Sequence, residues 1–185
     1  MKKLFMILIG CTPEGRNTEQ HDIFFSIGEK PKDFIDEMIA FWPEAKGKLH
    51  LDAWREVTMV DGYEIKIITK DKEKAEAGKD KLFFINLGGY KRGEFEEFHY
   101  KMLAVGSDKG KAIQKSLKTS FYKHTGFEGA TSHVDDKYGI DVDDAFEIDD
   151  LLSASLKEKY CINVFPAAEK RDDEIHLGYF KLDKL

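Results

Sequence analysis

Four histidines in the chain each stand two residues from a carboxylate: Glu19 and His21, His50 and Asp52, Glu97 and His99, His133 and Asp135. On a β-strand, residues i and i+2 point to the same side, so each acid can support its imidazole or converge with it. Two imidazoles and a carboxylate are the donors that a divalent transition metal such as zinc or nickel prefers. The same groups can instead transfer protons, with the carboxylate fixing the tautomer of the imidazole. Arg55, three residues past Asp52, adds a candidate anion clamp, although Tyr138 takes its place in the second set. A structural reading stands beside both. His21 can seal the lip of a core while hydrogen-bonding Glu19, and His50 can be a polar residue tied to Asp52. The nine residues Glu19, His21, His50, Asp52, Arg55, Glu97, His99, His133 and Asp135 are therefore assigned to binding. None is assigned to catalysis or to a metal, and no cofactor is expected.

Other motifs carry less. Gly10 to Asn17, GCTPEGRN, resembles a phosphate-binding loop with Arg16 and Asn17 at its last two places. Such a loop must lead into a helix whose N–H groups face the phosphates, whereas a strand is expected next. Its glycines are read as serving positive φ. The acidic stretch Asp135 to Asp150 fails the EF-hand pattern, because Phe146 falls where glycine is required counting from Asp141. Ile140, Val142, Phe146 and Ile148 alternate with the acids, which suits the solvated face of a hairpin. There is no CxxC and no HExxH.

The histidine pairs recur because the chain repeats itself. KLFMILIGCTPEGRNTEQHDIFFSIG (Lys3 to Gly28) aligns without a gap on KLFFINLGGYKRGEFEEFHYKMLAVG (Lys81 to Gly106), with 9 of 26 positions identical. Chance would give about two. The alignment resumes at an offset of 83, pairing His50 with His133, Asp52 with Asp135 and Glu64 with Glu147. A tandem duplication follows. It also decides how to read the opening MKKLFMILIGC, which looks like a lipoprotein signal ending at Cys11. The same pattern returns in mid-chain, where it can only be structural, so Leu4 to Ile9 is expected to be a buried strand.

The elements that must hold these residues can be read from periodicity. A second strand is expected over His21 to Ile27, with Ile23, Phe25 and Ile27 facing the core. Gly28 and Gly106 lead into helices, the first with Pro31 in its opening turn and the second capped by Ser107 or Asp108. Ile35, Met38, Ile39 and Trp42 recur at helical spacing, as do Ile113 and Leu117. Asp61-Gly62 marks a two-residue turn between strands. The fold class expected is α+β: two tandem ββαββ units over 1–70 and 81–150, each a β-grasp-like roll, packed as a pseudo-dimer. A charged linker, 71–80, joins them. A C-terminal helix and strand extension, 151–185, closes the fold, with YCINVFP and EIHLGYFKL as a closing pair of strands.

The totals fit a globular protein. The chain has 185 residues, 42% hydrophobic and 35% charged, with a net charge of -6. Lysines are interspersed with acids, so no basic face for nucleic acid is expected. No apolar run approaches the length that spans a membrane. Cys11 and Cys161 stand in no metal or redox spacing and read as free thiols, which favours a cytoplasmic location.

Taken together, LIGCTPEGRNTEQHD, LHLDAWREV, DGYEI, LFFINLGGY, EFHYK, FYKHTGF and SHVDDKYGIDVDD resemble the bacterial family known as domain of unknown function 1543. The resemblance covers nearly all of residues 1–150. It implies duplication and a bacterial, non-secreted origin, and it carries no activity or catalytic residue. Two functional expectations follow. The first is a non-enzymatic module that binds a small ligand or a protein, with homo-oligomers possible. The second is a small metal-dependent or acid–base enzyme using the repeated Glu/His/His/Asp set.

Overall fold

The computed structural model describes residues 1–70, 78–90, 94–119, 141–169 and 171–185. The chain is α+β and divides into two compact units, residues 1–75 with 152–185, and residues 76–151. Most of the expected linker, 71–77, lies outside the described residues.

Unit 1 is organised by the apolar run at its start. The strand β1 (Lys3–Cys11) lies between β2 (Gln20–Gly28) and β3 (His50–Val57), antiparallel to both. A further strand, β10 (His176–Lys181), pairs with the outer edge of β3 and gives a four-stranded sheet in the order β10-β3-β1-β2. Phe5, Ile7, Ile9 and Cys11 alternate along β1 onto one face. There they meet Phe34 and Met38 from a 3-10 turn, Pro31–Phe34, and the helix α1 (Ile35–Phe41). The rings of Phe5 and Phe34 are 5.1 Å apart.

Two expectations of facing change. Along β2 it is Phe24 that joins this core cluster, opposite Ile7, while Ile23, Phe25 and Ile27 lie on the other side of the sheet. Phe25 and Ile27 are buried there too, so an alternating strand with both faces covered gives no sign of which side the helix takes. In the helix Met38 is fully buried, whereas Ile39 is 38% exposed, because the 3-10 opening rotates Phe34 into the place that an unbroken α-helix gives to another residue.

Asp61 and Gly62, both at positive φ, form the expected turn between β4 (Met59–Val60) and β5 (Tyr63–Thr69). The first arm of that hairpin is short, since β3 belongs to the other sheet. β5 pairs instead with β9 (Tyr160–Pro166) in a three-stranded sheet, β4-β5-β9. The two strands read as a closing pair are thus both present, but each completes a different sheet of unit 1. A short helix, Ala154–Lys159, precedes β9.

Unit 2 holds β6 (Lys81–Tyr90) between β7 (Glu97–Gly106) and β8 (Asp141–Glu147). Its helix α2 (Lys109–Thr119) is capped by Asp108, whose Oδ1 accepts the Lys111 N–H at 2.9 Å. Phe83, Ile85, Leu87, Met102, Ala104 and Ala112 form its core. Of the acidic segment, Asp141–Glu147 form a strand and Ile148–Leu151 a helical turn, while residues 135–140 lie outside the described residues.

The registers of the units can be compared directly. Lys3 faces Gly28 and Gly10 faces His21; Lys81 faces Gly106 and Gly88 faces His99, an interval of 78 throughout. Across the third strands the interval is 91: Phe5 faces Glu56 where Phe83 faces Glu147, and Gly10 faces His50 where Gly88 faces Asp141. Glu56 pairs with Lys3 and Glu147 with Lys81 in the same manner. The alignment at 83 therefore differs from the strand register. Recurring Asp and Ile in the segment let a gapped comparison slide by eight residues.

Candidate functional site

The first histidine pair and its acids meet on one rung of the unit 1 sheet. His21 on β2 and His50 on β3 are the register partners of Gly10 on β1, one from each side. Their side chains leave the sheet on the same face, opposite the core cluster, with the glycine between them contributing no side chain.

Asp52 is brought in by an irregularity of β3. Leu8 pairs with Ala53 and Ile9 with Leu51, so Asp52 is the extra residue of a β-bulge. A bulge re-aims the side chain it carries. Here the carboxylate reaches both imidazoles, with Oδ2 at 3.1 Å from His21 Nε2 and Oδ1 at 3.3 Å from His50 Nε2. Glu19, immediately before β2, closes the ring, its Oε1 at 3.0 Å from His50 Nε2 and its Oε2 at 3.7 Å from His21 Nε2. One donor atom each from Glu19, His21 and His50 lies within 4.8 Å of the other two.

Burial is uneven, and that matters for chemistry. His50 is 4% exposed, while the side chains of His21 and Glu19 are about two-fifths exposed, so the cluster opens to solvent on one side. Neither His50 Nε2 nor Asp52 Oδ2 has a hydrogen bond of acceptable geometry, although both are shielded from water. A buried polar atom left without a partner costs about 1–3 kcal/mol. The space between the donors exists because residue 10 is glycine. A Cβ there would stand 2.7 Å from Asp52 Oδ2, 2.8 Å from His50 Nε2 and 3.0 Å from His21 Cδ2. Gly10 thus serves close approach rather than the positive φ expected of it, which Gly15 does adopt.

Two contributors were not legible in the sequence. Tyr179 of β10 stacks on the His50 ring, with centroids 4.2 Å apart and planes inclined by 30°. It arrives through a strand pairing more than a hundred residues away, which no local pattern announces. The second is the room made by Gly10, for which the coincidence of Gly10 with Gly88 was the available signal.

The remaining candidates fall elsewhere. Arg55 faces Met6, four residues along β1 from Gly10 and so about 13 Å distant along the strand, with its guanidinium 3.5 Å from Met6 Sδ. In unit 2, His99 Nε2 lies 3.7 Å from Glu97 Oε2, and His99 Nδ1 meets Asn86 Nδ2 at 3.2 Å. His133 and Asp135 lie outside the described residues. Cys11, next to the cluster in sequence, turns into the core; burial, with a smaller push from the Glu19 charge, holds its thiol above the ordinary value. Among the described residues no helix is long and apolar enough to cross a membrane.

Comparison with known proteins adds family and fold. Residues 16–67 match the model of the family described as Domain of Unknown Function (DUF1543), a span that contains all four residues of the cluster and supports the family resemblance. No curated protein matches the chain. Among solved structures, the crystal structure of a protein Il1583 from Idiomarina loihiensis is similar at 20% identity with a TM-score of 0.65, covering 98% of this chain and 99% of that one. At that identity the likeness is one of fold.

Proposed function

We propose that the protein is a binding module whose first unit holds a divalent transition metal between Glu19, His21, His50 and Asp52. One observation carries this reading. The four side chains form a closed ring with successive contacts of 3.0, 3.3, 3.1 and 3.7 Å. Donors bound to one tetrahedral zinc-sized ion at ~2.0–2.1 Å lie about 3.3–3.5 Å apart. An ion in that ring would also satisfy His50 Nε2 and Asp52 Oδ2, two atoms of the ring that lack hydrogen bonds. Of the two readings of the sequence, a small-ligand module and a metal-dependent or acid–base enzyme, this geometry favours a metal as what is bound.

The finer reading of the fold is that one building block was copied in tandem. The common interval of 78 across two hairpins, the bulge at matching places and the equivalent Lys–Glu pairs support it. Free Cys11 and Cys161 support a reducing, cytoplasmic setting.

The test is metal analysis of the full chain purified without a histidine tag, followed by cobalt titration. Stoichiometric metal and the visible bands of tetrahedral cobalt are expected, both lost in His21→Ala and His50→Ala. Absence of binding for zinc, cobalt and nickel by a folded chain would overturn the reading.

A further inference from the structure

We propose that the outer edge of β10 receives a second copy of this chain, the two β10 strands pairing antiparallel so that the unit 1 sheets of two molecules run on into one. Nothing in the proposal requires a metal between Glu19, His21, His50 and Asp52.

β10 ends its sheet. In the order β10-β3-β1-β2 it has β3 on one side, and among the described residues no strand pairs with its other side. Such an edge presents a row of backbone N–H and C=O groups that another extended chain can pair. Edges of monomeric proteins are commonly blunted by proline or by charge, yet HLGYFK has no proline and its one lysine stands at the end.

The side chains of this strand leave apolar surface outside. His176 turns inward to stack on Trp54, with centroids 3.8 Å apart, and Phe180 packs on the core. Leu177 and Tyr179 take the opposite face, where they are 76% and 64% exposed, and Ile175, just ahead of the strand, is 58% exposed. The pairing with β3 shifts register between Leu177 and Phe180, but the alternation of faces holds through the shift. A row of large apolar side chains along an unpaired edge marks an interaction surface.

Charge says what fits there. The segment opens with Asp172, Asp173 and Glu174 against one Arg171, and closes with Lys181 and Lys184 against one Asp183. An antiparallel copy therefore lays the acidic end of each strand on the basic end of the other, with apolar rows meeting between them. The strand is complementary to itself, and a two-fold axis satisfies both ends at once. One strand pair buries less than a standard interface, so a weak dimer that depends on concentration is expected.

Sedimentation velocity of the full chain across a concentration series tests the proposal. A monomer–dimer equilibrium in the micromolar range is expected for the wild type. Leu177→Asp is expected to raise the dissociation constant more than about tenfold, with circular dichroism and Tm unchanged because the side chain is exposed. Glu174→Lys and Lys181→Glu should each weaken the dimer, and the two together should return it to within about threefold of the wild type. Should Leu177→Asp fail to fold, the charge exchange decides alone. A wild type that stays monomeric up to about 1 mM would overturn the proposal. So would a dimer that a folded Leu177→Asp chain keeps, or one that the double exchange fails to restore.

Discussion

The chemistry of unit 1 depends on a residue with no side chain. Gly10 is not at positive φ, so alanine is compatible with its backbone, but the added methyl would fill the gap shared by Asp52, His50 and His21. The atoms it meets are the ends of side chains that can swing aside, so the fold should survive while the donors separate. Gly10→Ala is expected to weaken zinc binding at least about tenfold with little change in Tm, as read by calorimetry and thermal melting. Tyr179→Ala should lower affinity less, because the ring positions His50 without reaching the gap. At this scale the sequence was informative in part. Glu-x-His and His-x-Asp spacing on strands gave the four donors, since period-two geometry is local. Arg55 was grouped with them on proximity in sequence, yet strand register sets it opposite Met6. Distance along a strand grows by about 3.3 Å per residue, and three residues suffice to leave a site.

The elements owe their placement to two more glycines. A Cβ on Gly28 would overlap the Phe34 ring, standing 2.6 Å from Cζ, and one on Gly106 would stand 2.9 Å from Ala112 N. In both units the turn after the second strand thus brings the following helix directly against the chain. Phe34 is 1% exposed and cannot yield, so Gly28→Ala should destabilise unit 1 by about 1–3 kcal/mol in denaturant titration. The cap of α2 gives a pH-dependent counterpart. The Lys111 N–H holds the Asp108 carboxyl below its ordinary value of 3.8. Its contribution to stability is therefore present above that value and is lost as pH falls through the lower, folded-state one. Asp108→Ala is expected to melt a few degrees below the wild type at neutral pH, with the gap closing as pH drops below 3.8. Capping residues, the Asp61-Gly62 turn and the central first strand were legible because each is fixed by neighbours in the chain. The partners of β9 and β10, and the side of the sheet taken by α1, were not. Both faces of the sheet are apolar, and long-range pairing leaves no periodic trace.

At the scale of the molecule, the duplicated pattern in the sequence and the division in space do not coincide. Residues 152–185 fall outside the repeat yet belong to unit 1, where Phe180, Leu182 and Leu185 pack on its core and Asp173 accepts hydrogen bonds from Thr58 N and Met59 N at 2.9 and 3.2 Å. A chain shortened after residue 170 is expected to lose the cooperative melting of unit 1 together with metal binding, while unit 2, contiguous in sequence, keeps its protection in hydrogen exchange. That β10 supplies the edge of the sheet beside His50 has a consequence for biosynthesis. On the ribosome, the unit whose first strand is made earliest is the later of the two to mature. Residues 76–151 can close as soon as they are clear of the exit tunnel, whereas the sheet that carries Glu19, His21, His50 and Asp52 waits for the β10 strand to emerge. Nascent chains stalled before that point should therefore carry a folded middle segment and fail to take up added zinc.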